Sequence, residues 1–593
     1  MQGVTRGWID NQNELLVSEG YVEVTLTLAD PDALADASAT DSGATYFSNT
    51  AQIVSEVDKD IVPYATLEDN LWVLDGSRKI LPRSNYGDCG FISSSMSNEF
   101  GYFENEPFVA IDFSEAHTNL VQGLTIEWGT AYGEYAVEFT VRVYSNNVLL
   151  NTAEVFGNRD VKSIVYMDIA DYDRITISVQ KWCLPYRRAR IAEVLIGVEK
   201  VYSKGELFSF KHSQEVDPIS ASLPKSEISF SIDNSDGSYD PNNTKSFAKY
   251  LMERQKLKAK YGYKIGDKIE WIDSGTFYIS EWNAPQNGLT ADFTARDLLE
   301  FMTDTYYKGL YDPMGTSLYD LAERVLQDAD LPLDDDGGVK WIIDESLKSI
   351  YTIAPLPIDT HANCLQLIAN AGGCVLYQDR SGILHIEKWY VTDTDYRISL
   401  FNSYSKSDIE LTKPLKQVEV PYYTYSASSE ATELFKGAIA INGTQEVVIT
   451  YSGSATNVSA NVVGGTLNSA TYYTNTCVLK ITASGDAVIT VSGYSLETSS
   501  VSVITPSGDG GETVTVDNPL ITSQERASAV GTWVEGYMKN RMILSSKWRA
   551  DPRLDALDMV TNENEYNTNY VIMTNVNYEY NGAFRGSGEG RVI

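Results

Sequence analysis

Alternating apolar and polar residues are the most frequent pattern along this chain. Between residues 100 and 198 the alternation recurs in five segments: Phe108–Ser114, Gly123–Gly129, Tyr135–Leu150, Asp173–Trp182 and Arg188–Val198. A period of two residues is typical of strands with one buried face, and Asn146-Asn147 marks a hairpin turn inside the third segment. Because no helical pattern interrupts these segments, we predict a β-sandwich over residues 100–198.

The regions on either side of this sandwich alternate in the same way and are predicted to form a β-barrel. Tyr21–Asp30 precedes the sandwich, and residues 199–302 follow it with alternating segments at Ser226–Asn234, Gly266–Trp282 and Thr290–Met302. Within the second of these, Asp-Ser-Gly at 273–275 indicates a turn between two strands, and the third runs directly into a helix. Upstream, Leu71–Leu74 is predicted as a buried strand that an Asp-Gly turn closes.

Helical spacing of apolar residues also marks three further segments: Ser317–Leu331, the start of His361–Trp389, where Gly372-Gly373 ends the helix before two strands, and Ser523–Asn540. Residues 421–510 are rich in Ser, Thr, Gly, Val and Asn, which predicts a second small all-β insertion. We therefore predict a multi-domain, mainly β protein with some α structure, divided at 1–99, 100–198, 199–302, 303–420, 421–510 and 511–593.

The chain is strongly acidic, and this limits its partners. Its 593 residues carry a formal net charge of −35. A negative field of this size repels phosphates, so the chain is not expected to bind nucleic acid through its overall charge. The one compact basic cluster is Arg187, Arg188 and Arg190, for which salt bridges at a strand end are favoured over polyanion binding.

Cysteines and apolar runs point to synthesis in a reducing cytoplasm. Five widely spaced cysteines contain no C-x-x-C pair, so neither a disulfide framework nor a zinc site is predicted. Cys364 and Cys374 are expected to pack as small apolar side chains. The sequence "MQGVTRGWID" lacks the pattern of a signal peptide, and no apolar run has the length of a membrane span.

Several acidic stretches raise the question of catalysis or metal binding. In "ADPRLDALDMV", Asp551, Asp555 and Asp558 are interpreted as acceptors that hold a turn, with Leu554 and Leu557 buried beneath them. "DNSDGSYDPNN", from Asp233, departs from the spacing of a calcium loop and is predicted to be a turn rich in side-chain caps, and Asp334–Gly338 is predicted to be an exposed acidic loop. No catalytic residue, cofactor or metal is predicted.

The order of these segments resembles a known family. The stretches "YATLEDNLWVLDGS", "ASLPKSEISFSIDNSDGSYDP", "YGYKIGDKIEWIDSGTFYISEW", "TARDLLEFM" and "ADPRLDALDMV", with "NYEYNGAFRGSGEGR" near the end, resemble the baseplate hub or tail-tip proteins of tailed phages and related particles. These correspond to the N-terminal structural part of tail-associated lysins. The resemblance implies hub β-barrels that form a homotrimeric ring at the end of the tail tube, and a lysin activity that is absent or carried by another polypeptide.

Residues 100–198 resemble a galactose-binding-like (discoidin-type) sandwich inserted into the first hub domain, on "RITISVQKWCLPYRRARIAEVLIGV". Two loops that follow strands, "GTAYGEY" and "KWCLPYRR", are expected to converge at one end of it. Aromatic faces stack on sugar rings and charged side chains bind hydroxyls, so the candidate carbohydrate-binding residues are Trp128, Tyr132, Glu134, Tyr135, Trp182, Tyr186, Arg187 and Arg188. The alternative is that the tryptophans end core strands and pack in the interior.

We therefore predict a non-enzymatic virion protein of a tail tip or baseplate. Its partners would be two further copies, tail tube and distal tail proteins, spike or fibre proteins, and a host surface glycan. DNA would pass the channel without specific binding, because excess carboxylates would line the wall. The alternatives are a secreted polysaccharide hydrolase with a carbohydrate-binding module, and an adhesin in which the sandwich is the working part.

Overall fold

The computed structural model describes residues 1–54, 62–80, 89–243, 246–284, 288–329, 331–332, 339–390 and 393–593. Strands predominate in these ranges, which confirms the mainly β prediction. Short 3-10 helices occur at Thr50–Val54, Thr130–Tyr132, Phe247–Tyr250, Leu298–Met302 and Glu345–Ser349. No helix in the described part of the chain has both the length and the hydropathy needed to cross a bilayer. The predicted acidic loop Asp334–Gly338 lies outside the described residues.

The first elements are helix α1 (Arg6–Asn13), strand β1 (Gly20–Ala29) and helix α2 (Pro31–Asp36). Thr5 caps α1 by accepting the N–H of Trp8, and Asp30 caps α2 ahead of Pro31 at its first position. Ser, Thr and Asp are favoured at these positions because their oxygens satisfy the free N–H groups of the first turn. Neither helix was predicted, since six to eight residues are too few to establish a helical period.

The sandwich follows as two sheets around a shared core. Its strands are β2 (Ser38–Ser42), β3 (Tyr64–Ala65), β4 (Lys79–Ile80), β5 (Phe91–Met96), β6 (Phe108–His117), β7 (Val121–Glu127), β8 (Ala136–Ser145), β9 (Val148–Phe156), β10 (Lys162–Ile169), β11 (Tyr172–Trp182), β12 (Arg188–Ile191) and β13 (Glu193–Leu195). One sheet has the order β2-β6-β11-β8-β9 and the other β10-β7-β13, while β12 pairs with β5. Segments upstream of residue 100 therefore contribute strands to this module.

The predicted hairpin between β8 and β9 is present. Asn146 and Asn147 both have positive φ, at 47° and 63°, which a two-residue turn of the type favoured in hairpins requires. The buried strand predicted at Leu71–Leu74 is wrong. Leu71 is buried, but the segment forms a turn without a strand partner, and Trp72 is 53% exposed.

The chain then returns to the sheet that β1 began, through β14 (Gly197–Tyr202), β15 (Leu207–Glu215), β16 (Lys225–Asp233), β17 (Lys256–Ile265), β18 (Lys268–Asn283) and β19 (Thr290–Arg296). The turn predicted at 273–275 is also wrong, because β18 is one strand of 16 residues. Gly275, at φ 145°, forms a bulge that turns Ser274 into the interior, where its hydroxyl lies 3.1 Å from the hydroxyl of Tyr261.

Between residues 303 and 390 lies a small α/β unit of β20 (Thr305–Tyr306), β21 (Thr316–Ser317), α3 (Leu318–Asp328), β22 (Trp341–Ile343), β23 (Tyr351–Thr352), β24 (Asp359–Thr360), α4 (His361–Gly372), β25 (Val375–Gln378) and β26 (Leu384–Glu387). The helices begin at the caps Ser317 and Thr360, and α4 ends at Gly373, φ 62°, as predicted. Cys364 and Cys374 are fully buried, as expected.

The next strands are β27 (Asp393–Ile398), β28 (Asp408–Leu411), β29 (Leu415–Thr450), β30 (Ala455–Val463), β31 (Thr466–Tyr472), β32 (Thr476–Pro506) and β33 (Glu512–Thr515). The two long strands β29 and β32 pair along their whole length, and β30 and β31 add to β32. Their far half encloses a separate hydrophobic core that includes Ile441, Leu479 and Ile489. An all-β unit thus occupies the region where the second insertion was predicted.

The last elements are α5 (Gln524–Met538), β34 (Met542–Arg549), β35 (Met559–Glu563), β36 (Thr568–Tyr580) and β37 (Phe584–Val592). They join the strands near the start of the chain in one 13-stranded sheet with the order β14-β1-β17-β18-β19-β16-β15-β36-β37-β34-β28, in which β35 pairs with both β36 and β27. A single core underlies this sheet and contains side chains from both ends of the chain, among them Trp8, Tyr261 and Trp548.

Candidate functional site at the loop end of the sandwich

The two loops that were predicted to converge do so. The first, Gly129–Tyr135, is a tight turn in which Gly129 and Glu134 exchange backbone hydrogen bonds of 3.0 and 3.1 Å. The second, Cys183–Arg187, joins β11 to β12, and the N–H of Cys183 donates to the carbonyl oxygen of Tyr135 at 3.0 Å. Both loops leave strands at the same end of the sandwich, so their side chains meet there.

Glu134 is the acceptor that joins the two loops. Its carboxylate is buried and accepts the indole N–H of Trp182 at 2.8 Å, Nε–H of Arg187 at 3.0 Å and Nη1–H of Arg190 at 3.4 Å. Such charge-assisted bonds are strong, and a buried carboxylate needs them to offset its lost hydration. Glu134 therefore holds the corner of the sandwich together from inside.

The two predicted tryptophans lie in the core. Trp128 and Trp182 are 0% and 1% exposed, and their rings meet edge to face at 6.2 Å. Trp128 also packs against Phe139 and donates its N–H to the hydroxyl of Ser163 at 2.8 Å. In this conformation neither ring has a free face on which a sugar could stack.

The predicted tyrosines differ in exposure. The hydroxyl of Tyr132 accepts the N–H of Tyr64 at 2.8 Å, and the guanidinium of Arg190 lies 4.4 Å from the centre of its ring. Burial raises the pKa of Tyr132. Tyr135 packs partly buried against the sandwich core, whereas Tyr186, at φ 55°, is 54% exposed. Of the predicted aromatic residues, Tyr186 is the one with a largely exposed ring.

Glu68 completes this corner and was missed in the sequence. Its side chain is fully covered and pairs with the guanidinium of Arg190, and it accepts the backbone N–H of Arg188 at 2.9 Å. The predicted role of the arginine cluster as salt-bridge partners at a strand end agrees with these contacts for Arg187 and Arg190. No local signal marks Glu68, because it lies 122 residues before Arg190.

The three aspartates near the end of the chain have structural partners. Asp551 accepts the indole N–H of Trp8 at 3.1 Å, Asp555 accepts Nε–H of Arg380 at 2.6 Å, and Asp558 accepts the backbone N–H of Asp555 at 2.8 Å. Burial raises the pKa of Asp555, but the guanidinium of Arg380 outweighs it and holds that pKa below its ordinary value. These carboxylates tie the C-terminal strands to α1 and to the α/β unit.

A cleft of about 980 Å³ lies between α2, the segment before β17 and the end of α3. Its lining includes His361 and five carboxylates: Asp30, Asp32, Glu253, Asp304 and Asp328. The two ring nitrogens of His361 lie 3.2 Å from the carboxylate of Asp328 and 2.7 Å from the carbonyl oxygen of Asp304, so the imidazole is bound into the wall. Among the described residues, no group of three or more His, Cys, Asp or Glu is placed to hold a metal ion.

Comparison with known proteins gives similarity at the level of solved structures. No protein-family model and no curated protein matches the sequence. The 43 kDa tail protein of prophage MuSo2 from Shewanella oneidensis aligns at 11% identity over 66% of this chain and 95% of its own, with a TM-score of 0.37. A tail protein from Neisseria meningitidis MC58 aligns at 10% identity over 66% and 93%, with a TM-score of 0.37. The prophage tail protein gp18 from Listeria monocytogenes EGD-e aligns at 10% identity over 67% and 91%, with a TM-score of 0.35.

Proposed function

We propose that this chain is a structural subunit of the tail tip of a phage or phage-like particle, in which three copies form a ring between the tail tube and the spike or fibres. The observation that supports it most is the sheet that runs without interruption from β19 through β16, β15, β36 and β37 to β34. Strands from distant parts of the chain build one wide wall, as a subunit that lines a channel requires.

The outward face of this wall is made of small polar and paired charged side chains. The register sets Ser209 beside Ser231 and Asn577 beside Ser587, and places Lys211 beside Glu579. The pair of Lys211 and Glu579 sets one cation beside one carboxylate on this face. In the proposed ring, DNA passes this face without specific binding because neighbouring acids neutralise its cations.

The ring is proposed to close at β28, the last strand of the sheet. All four of its residues are exposed, Ile409 at 55% and Leu411 at 63%. An open apolar edge favours association, and in a homo-oligomer a second copy covers it. Tail tube, distal tail, spike and fibre proteins are the proposed partners at the other faces.

Electron microscopy and light scattering of the purified chain test this proposal. We expect a threefold ring with about three times the 65.7 kDa of one chain. Ile409→Lys places a charge on the edge and is expected to give monomers, whereas Val448→Lys, at an equally exposed site on β29, leaves the ring intact. A monomeric wild-type protein, or release of reducing sugar from host polysaccharide, would contradict the proposal.

The sandwich is proposed to be the host-attachment module, with contact to glycan at the rim of its loop end. Tyr186 and Phe100, 54% and 69% exposed, lie on neighbouring loops joined by the hydrogen bond from the N–H of Tyr186 to Ser97. A glycan array probed with the full chain is expected to give a signal that Tyr186→Ala removes. Tyr166→Ala, at a 64% exposed site on β10, is the control and should leave the signal unchanged.

A further inference from the structure

Residues 62–80, here called the strap, cross the loop end of the sandwich and insert one carboxylate into it. Glu68 projects inward, and its oxygens accept the N–H of Arg188 at 2.9 Å and the hydroxyl of Thr66 at 2.8 Å besides the guanidinium of Arg190. The side chains of Glu68 and Arg190 are 0% and 3% exposed. The sandwich therefore provides a closed pocket for one carboxylate group.

The sandwich also binds the backbone of the strap. Nη1 of Arg187 donates to the carbonyl oxygen of Asp69, next to Glu68. The hydroxyl of Tyr132 lies 2.8 Å from the backbone nitrogen of Tyr64 and 3.2 Å from its carbonyl oxygen. Recognition of peptide groups on both sides of a carboxylate is the pattern that an acidic peptide presents.

The positive charges of the arginines favour a carboxylate at this corner. Without the strap, the guanidiniums of Arg187 and Arg190 would share the single carboxylate of Glu134, and the backbone N–H of Arg188 would lose its acceptor. Nε of Arg190 is buried and has no hydrogen-bond partner among the described residues. Without Glu68 the buried guanidinium of Arg190 would keep Glu134 alone, at 3.4 Å. Because a buried charge is destabilising unless it is paired, the pocket favours an occupant that brings a negative charge.

The outer side of the strap is apolar. Leu67 is 78% exposed, Trp72 53% and Leu74 60%, whereas Leu71 is buried. The strap is held by the polar contacts above together with the buried side chains of Tyr64, Ala65 and Leu71. An incoming ligand that repeats those polar contacts replaces them without net loss, whereas a ligand that lacks them leaves buried charges unpaired.

We propose that the corner formed by Arg187, Arg188, Arg190 and Tyr132 is a docking site for an acidic peptide segment of a partner protein, and that the strap occupies it as an internal competitor. A partner segment with a glutamate in the place of Glu68 displaces the strap, and the already exposed side chains of Leu67 and Trp72 contact the same partner. The proposal rests on the proposed tail-tip function for the source of the partner, and its chemistry follows from the pocket itself.

The test measures binding of a labelled peptide, YATLEDNLWVLDGS (Tyr64–Ser77), to the full chain by fluorescence anisotropy. Glu68→Ala empties the pocket and is expected to bind the peptide at least tenfold more tightly than the wild type does. Glu104→Ala removes an exposed carboxylate from the same module and should bind as the wild type does. A peptide with glutamine in place of its glutamate is expected to lose at least tenfold in affinity for Glu68→Ala.

Hydrogen exchange of the unaltered protein gives a second measurement in case Glu68→Ala does not fold. Excess peptide should lower the protection of the strap while the amide of Arg188 stays protected. Equal binding of the glutamate and glutamine peptides, no binding to a folded Glu68→Ala chain, or tighter binding of a uronic-acid saccharide than of the peptide would overturn the proposal. Ring formation in the electron microscope is independent of these results, so the two proposals fail separately.

Discussion

Glu193 is predicted to make the stability of the sandwich depend on pH. It lies on β13 directly opposite Glu127 of β7, and Glu127 lies opposite Lys162 of β10. Lys162 places its ammonium 2.8 Å from Glu127 and 2.7 Å from Glu199, which lies on β14 of the 13-stranded sheet. One cation thus serves two carboxylates, and the largely buried Glu193 has no ion pair among the described residues.

Burial raises the pKa of Glu193 to about 8, and the charges of Glu127 and Glu199 add to that effect. Its ordinary pKa is 4.5. Between these two pKa values the folded chain still binds the proton that the unfolded chain has released. The free energy of unfolding therefore falls as pH rises, and the stabilisation that Glu193 contributes is lost above about pH 8. The gap corresponds to at most about 5 kcal/mol.

Glu193→Gln keeps the shape of the side chain and removes its ionisation. We expect the variant and the wild type to be equally stable near pH 4.5 and the variant to be more stable by about 2–4 kcal/mol at pH 9. Urea unfolding followed by tryptophan fluorescence at pH 5, 7 and 9 measures this difference, because Trp128 and Trp182 lie in the sandwich core.

Glu115→Gln, at an exposed position on β6, is the matched control and should leave the pH dependence of the wild type unchanged. The reasoning is refuted if the stability difference between Glu193→Gln and wild type is the same at pH 5 and pH 9, or if the variant is the less stable protein at pH 9.

Three further predictions concern other parts of the chain. Arg380→Ala leaves the buried carboxylate of Asp555 without its cation and should lower the free energy of unfolding by about 3–5 kcal/mol. The double variant with Asp555→Ala should lose less free energy of unfolding than the sum of the two single variants, and additive losses would contradict the pairing. Burial lowers the pKa of His385, but hydrogen bonds to two carboxylates outweigh it and raise the pKa above 6.5. Its stabilising contribution is therefore full below about pH 6.5 and is lost as pH rises through the folded value; an NMR titration midpoint at or below 6.5 would contradict this. In α5, Gly536 faces open space and Gly531 faces the hydroxyl of Thr505. Gly536→Ala should stabilise the protein by about 0.5–1 kcal/mol and Gly531→Ala should destabilise it, as thermal unfolding will show.

The local structure of many segments could be predicted from the sequence. The helix in His361–Trp389 was predicted from its apolar spacing and ends at Gly373, and the Asn146-Asn147 pair makes the predicted turn. Leu554 is fully buried and Leu557 8% exposed beneath the aspartates, as predicted. Each of these features depends on residues within a few positions of one another, so the information lies in the local sequence.

The failures have a different cause. In β18 the Asp-Ser-Gly sequence has the composition of a turn, yet β17 and β19 pair with it on both sides and extend it through a bulge. Trp72 lies in an apolar run typical of a buried strand, but the described structure leaves it 53% exposed. In both places contacts with distant segments, or their absence, override the local preference.

The loop end of the sandwich has some features that the local sequence predicts and others that only distant segments determine. The alternating pattern revealed that both loops follow strands, whereas the strand order that brings the loops together is a property of the folded chain. Segments far apart in the chain decide two features of this site. Trp182 faces the core, where it donates to Glu134 of the other loop, and the pocket at Arg190 is filled by Glu68 of the strap. Periodicity in the sequence determines which side of a strand is apolar. Only the folded chain determines what covers that side, because burial depends on which remote segments meet there.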